Sequence, residues 1–115
     1  MAAEDEPAAE VVSGDLVTTV RLRGEFDVAA RAVLLDALTE ALSGPARSVC
    51  MELSGVSFID AGSVGALMTA WRRLSGQGRR LEVVGAVPRV FQVFQLLSVA
   101  DRLDVAPLGE SSPPR

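Results

Sequence analysis

The chain has 115 residues, enough for one domain, and with 49% hydrophobic residues it can bury a core without a metal or a disulfide. It contains no histidine and no tyrosine, and its 11 basic residues are all arginine. That composition excludes histidine-based nucleophile pairs and general bases, the ordinary zinc sites and a lysine-bearing phosphate loop, while a net charge of −4 argues against a protein that tracks a nucleic-acid backbone. Carboxylate chemistry stays open, but the expectation is a protein that is not an enzyme and needs no cofactor.

Residues 1–8 are acidic, alanine-rich and interrupted by Pro7, and they read as a disordered leader rather than a signal peptide, which would carry a basic flank. Val11 and Val12, the turn Ser13-Gly14-Asp15, and the run Leu16–Arg23 predict a β-hairpin. In the second run Leu16, Thr18, Val20 and Leu22 fall on one face and Arg21 and Arg23 on the other, the period of a half-buried strand. Gly24-Glu25-Phe26-Asp27 reads as the break after it, with Asp27 capping a first helix. Ala30, Val33, Leu34, Ala37, Leu38, Ala41 and Leu42 form the apolar stripe of that helix, and Ser43-Gly44-Pro45 stops it.

Ser48–Leu53 predicts a central strand, followed by a turn at Ser54-Gly55 and apolar anchorage from Val56, Phe58 and Ile59. Cys50 lies within that strand and reads as a buried small hydrophobe in a reducing, cytosolic setting. A second helix starts after Asp60, with Val64, Leu67, Met68, Trp71 and Leu74 as its buried stripe, and ends at Ser75-Gly76-Gln77-Gly78. Leu81–Val84 predicts a third core strand. Pro88 opens a third helix whose apolar face is Val90, Phe91, Phe94 and Leu97, and Leu103–Val105 reads as a last short strand. The stretch from Val83 to Ala100 is apolar, but Pro88, Arg89, Gln92 and Gln95 interrupt it, so a buried amphipathic helix is expected and no insertion into a membrane. Residues 108–115 read as a disordered tail around a domain spanning residues 9–107. Strands alternating with helices imply a single α/β domain with a mixed, mostly parallel sheet.

The segment from Val56 to Leu67 concentrates the candidate chemistry. A strand end feeds a helix start through Asp60, Ala61, Gly62, Ser63, Val64 and Gly65. Small side chains let another molecule approach the main chain, and a helix N-terminus offers unpaired N–H groups and partial positive charge. The same residues also serve a plain helix cap and turn, with Asp60 or Ser63 as the capping group.

The blocks Gly-Glu-Phe-Asp at 24–27, Leu-Ser-Gly-Val-Ser-Phe-Ile-Asp at 53–60, Gly-Arg-Arg-Leu-Glu-Val-Val-Gly at 78–85 and the run 90–103 resemble the STAS domain, the family of sulfate transporters and anti-sigma factor antagonists. The resemblance spans about residues 10–107 and points to the free-standing bacterial antagonist branch. It implies a cytoplasmic protein that binds an anti-sigma factor, often a serine protein kinase, and so releases a sigma factor. The resemblance also implies that phosphorylation by such a kinase blocks binding and that a serine phosphatase restores it. It also implies one docking face made by Asp27, Asp60 and the first turn of the second helix, Ala61 to Gly65. The family motif reads Asp-Ser-Ser-Gly-x-Gly or has Thr at an acceptor position, whereas this chain has Asp60-Ala61-Gly62-Ser63-Val64-Gly65. Ala61 stands at the usual phosphoacceptor position and has no hydroxyl. Three readings follow: an antagonist that stays unphosphorylated, one that uses Ser63 as a displaced acceptor, or a STAS-type scaffold or subunit in another partner system, such as a lipid-transport ATPase or a stressosome-like complex.

Overall fold

The computed structural model describes residues 6–100, 102–103 and 105–109. The elements follow the expected order: strands β1 (Ala8–Val12) and β2 (Val17–Phe26), helix α1 (Arg31–Ser43), strand β3 (Ser48–Ile59), helix α2 (Ala61–Gly76), strand β4 (Arg80–Ala86), helix α3 (Pro88–Leu96) and strand β5 (Val105–Pro107). They build a five-stranded sheet in the order β1-β2-β3-β4-β5, antiparallel at β1–β2 and parallel elsewhere. Most of the leader and tail assigned from sequence, residues 1–5 and 110–115, lies outside the described residues. β1 already includes Ala8, and Leu108 N–H donates to the Ala86 carbonyl at 2.7 Å.

One core joins the elements. Val20, Leu22 and Phe26 of β2, Met51 and Leu53 of β3 and Val83 of β4 pack with Leu34 and Leu38 of α1, Leu67 and Leu74 of α2, and Val90 and Phe94 of α3. The three helices therefore lie on one face of the sheet. Alternation sends Arg21, Arg23, Cys50 and Glu52 to the other face. A surface cavity of about 480 Å³ lies there between Arg21, Arg23, Glu52 and Ser54. No helix among the described residues is long and apolar enough to cross a membrane.

Several local readings need correction. The residues at 24–26 do not break β2, which runs on to Phe26, and Ser54-Gly55 does not turn, because β3 continues to Ile59. Pairing passes from Arg21↔Glu52 to Arg23↔Gly55 and from Gly24↔Val56 to Glu25↔Phe58, so β3 carries an extra residue at each shift. These bulges re-phase the strand: buried residues fall at Val49, Met51 and Leu53, then at Val56 and Ile59. Gly24 supplies the backbone for this, at φ 98°, a value that side chains resist. Leu16 lies outside β2 and is 73% exposed, and Phe58 is exposed rather than anchored in the core. Leu103 is fully buried but sits in a turn before β5. Cys50 is half-buried, and its thiol pKa is raised by burial and then by Glu82 and Glu52, so the unreactive neutral form is favoured. Trp71 is partly buried against the core.

Arg79, between α2 and β4, holds the far end of α1. Its Nε donates to the Ala46 carbonyl at 2.8 Å, Nη2 to Gly44 at 2.8 Å and Nη1 to Leu42 at 3.3 Å. A helix end leaves its last carbonyls without partners, and a cation satisfies them and complements the dipole. Arg79→Ala is expected to lower stability by about 2 kcal/mol, read as a lower urea midpoint with an unchanged slope.

Candidate functional site: the start of helix α2

β2 and β3 run parallel, so their C-terminal ends and the loops that follow lie at the same end of the sheet. After Phe26, Asp27 caps a 3-10 turn (Val28–Ala30) that leads into α1, its Oδ1 accepting from Ala29 N–H at 3.0 Å. After Ile59, Asp60 caps α2, its Oδ1 accepting from Ser63 N–H at 2.8 Å. One acceptor ties the two loops together. The Phe26 carbonyl receives Asp60 N–H at 3.0 Å and the Ser63 hydroxyl at 3.2 Å. The sequence-based set thus meets at one end of the molecule.

The set divides by exposure. Asp27 and Asp60 are partly exposed, and Ala61, Gly62 and Gly65 are exposed. Ser63 is 0% exposed and Val64 2%, both turned into the core. Ser63 is therefore a spacer between α2 and β2, with its hydroxyl buried against the Phe26 carbonyl. Val28, which periodicity left without a role, is exposed beside Asp27.

A residue that sequence reasoning passed over completes the site. Arg31, the first residue of α1, donates from Nη2 to both oxygens of Asp60, at 3.1 Å to Oδ1 and 3.0 Å to Oδ2. Sequence offers no signal for a pair 29 positions apart beyond Arg31 standing off the apolar stripe. Its guanidinium lies on the bare backbone of Gly62. A β-carbon there would sit 2.6 Å from Nη2, 2.7 Å from Nη1 and 2.9 Å from Cζ.

Partial burial raises the Asp60 pKa, but the N–H and hydroxyl of Ser63 and then the Arg31 guanidinium outweigh it, so the carboxyl titrates below the ordinary aspartate value. The hydroxyl has one proton and also serves Phe26, which leaves the main-chain N–H as the fixed donor. The folded state thus binds the Asp60 proton less tightly than the unfolded chain. Its contribution to stability is complete above the unfolded value of about 3.9 and is lost as pH falls through the lower folded-state value. In thermal melts, the advantage of the wild type over Asp60→Asn is expected to be constant above about pH 5 and to shrink below about pH 4. A difference that stays flat to low pH would remove this role. Among the described residues, no group of three or more acidic or cysteine side chains could hold a metal ion.

Comparison with known proteins bears on the family and the fold. The family model described as "Mlab, STAS domain" matches residues 10–108. An anti-sigma-B factor antagonist of Staphylococcus aureus is 24% identical over 96 residues, covering 84% of this chain and 89% of that protein. The crystal structure of an anti-sigma factor antagonist from Mycobacterium paratuberculosis superposes with a TM-score of 0.83 at 21% identity, covering 95% of this chain and 92% of the other. The anti-sigma factor antagonist SpoIIAA in its unphosphorylated form superposes with a TM-score of 0.72 at 23% identity, covering 86% and 88%. With the family model covering most of the chain, and a hairpin-led parallel sheet of the same architecture, this chain belongs to the STAS domain family.

Proposed function

We propose that this chain is an anti-sigma factor antagonist that docks through the start of α2 and frees a sigma factor in the cytoplasm, and that it does so without a phosphate switch at position 61. The observation that carries the reading is the pairing of an exposed, small-residue helix start (Ala61, Gly62, Gly65) with the Asp27 loop, the helix start being fixed by Asp60 N–H and the Ser63 hydroxyl to the carbonyl of Phe26, the residue before Asp27. Small residues leave the main chain open to close approach, and the bonds beneath hold the surface in one shape. In relatives that are switched, a phosphate would add almost two negative charges to such a close-fitting contact. Here Ala61 lacks the hydroxyl, and Ser63 keeps its own buried. The partner is then an anti-sigma factor of the serine-kinase type, and a serine phosphatase has no substrate at this position.

A second reading is a STAS-type subunit or scaffold, of a lipid-transport ATPase or a stressosome-like complex. The missing hydroxyl at Ala61 favours it, since such a subunit needs no phosphoacceptor. The deciding experiment mixes the purified chain with each serine-kinase anti-sigma factor encoded in its genome, with and without ATP. The expected result is a stable complex with one of them and no added phosphate by mass spectrometry. Capture of none, with co-purification of a membrane ATPase, would transfer the assignment to the second reading. Phosphate on Ser63 would overturn the unswitched mechanism.

A further inference from the structure

We infer that Arg31 is a specificity-determining residue of this docking end: it cancels the anion that Asp60 alone would present and keeps a spare donor, and so selects a partner that offers a carboxylate at that point. The inference rests on the proposed docking function and sharpens it. Asp60 is the one carboxylate at the head of α2, and Nη2 of Arg31 spans both of its oxygens, at 3.1 and 3.0 Å. The contact uses a single nitrogen rather than the two-pronged fork that arginine usually offers a carboxylate. Nε is buried without a hydrogen-bond partner, and among the described residues Nη1 makes no hydrogen bond. The side chain remains 29% exposed, as does that of Asp60. A guanidinium held by one nitrogen, with another unused and solvent within reach, is a positioned donor for an incoming acceptor.

Gly62 makes the arrangement possible. Any side chain at that position would drive into the guanidinium, and the flexible arginine, not the helix backbone, would yield. Arg31 and Gly62 are therefore a matched pair. A serine at 62, as in the family motif, would push the arginine off Asp60 and restore an anionic surface. The charge of this surface is thus set by two positions far apart in sequence, and neither is the phosphoacceptor position.

The test titrates the full chain and its Arg31→Ala, Arg31→Lys and Gly62→Ser variants against the serine-kinase anti-sigma factor that the wild type captures, at low and high salt. Arg31→Ala is expected to weaken binding by about tenfold or more and to flatten its salt dependence, with Lys restoring only part, since removing one member of a desolvated charged contact costs at least that factor. Gly62→Ser is expected to behave like Arg31→Ala. Wild-type affinity in Arg31→Ala overturns the inference and leaves the docking function standing. If the wild type captures no anti-sigma factor, the docking function fails, and the partner-selecting role of Arg31 falls with it. The pairing itself is read in the free protein. Gly62→Ala, which favours helix, is expected to raise the melting temperature only in an Arg31→Ala background. Equal shifts in both backgrounds would overturn the matched pair.

Discussion

Ser63→Asp is expected to destabilise the protein by about 3–5 kcal/mol, enough to leave much of the population unfolded at room temperature. Position 63 is fully buried, its main-chain N–H is committed to the Asp60 carboxylate, and its side chain faces the Phe26 carbonyl, another acceptor. A new carboxylate would meet two acceptors, the Asp60 carboxylate and the Phe26 carbonyl. The helix dipole favours an acid in the first turn, but by no more than about 2 kcal/mol in good geometry, so burial wins. Ser63→Ala is the control. It removes one hydrogen bond, and the Phe26 carbonyl keeps Asp60 N–H as a donor, so a loss of about 1 kcal/mol is expected. Circular dichroism in urea separates the two. If Ser63→Asp unfolds at the wild-type midpoint, the serine is accessible and returns as an acceptor candidate.

Phe26→Ala is expected to cost about 3–5 kcal/mol as well, the range for deleting a buried aromatic ring, and to weaken partner binding beyond that loss. Phe26 is 0% exposed, and its carbonyl is the acceptor that joins the Asp60 loop to β2. Removing the ring opens a cavity in the core at the residue that carries that carbonyl, so the two loops lose their common reference. Phe94→Ala is the matched comparison. Phe94 is equally buried, but it lies on α3 and makes no hydrogen bond to the docking end. Similar stability loss is expected from both, measured by denaturation. Below their melting temperatures, Phe94→Ala is expected to keep its affinity for the captured partner while Phe26→Ala loses it. Equal affinities would remove Phe26 from the site.

Much of the architecture was legible because local pattern and tertiary demand agree. The stripes Leu34-Leu38-Ala41 and Leu67-Met68-Leu74 are buried as their spacing requires, and the caps at Asp27 and Asp60 form where the residue types predict. The failures come where pairing overrode local signals. Glycines at 24 and 55 look like breaks, yet neighbouring strands carry the chain through them by bulging. At the site, sequence brings forward Asp27 and the Asp60 turn but cannot sort the turn by depth. Ser63 and Val64 face inward because α2 must seat its stripe on the sheet, and no local cue distinguishes them from Ala61 and Gly62. Arg31 and Arg79 act only through partners that folding brings to them.

Those two arginines fasten α1 at opposite ends, one to the residue that opens α2 and the other to the chain just past its close. A helix clamped in this way has no loose tip from which to unwind. Opening its first turn means releasing Asp60, and opening its last means releasing the Leu42 carbonyl from Arg79, which also holds the chain beyond it at Gly44 and Ala46. Local melting in α1 and α2 is therefore expected to be shared, and thermal motion in the proposed docking surface to travel along a braced pair of rods rather than being absorbed by a hinge.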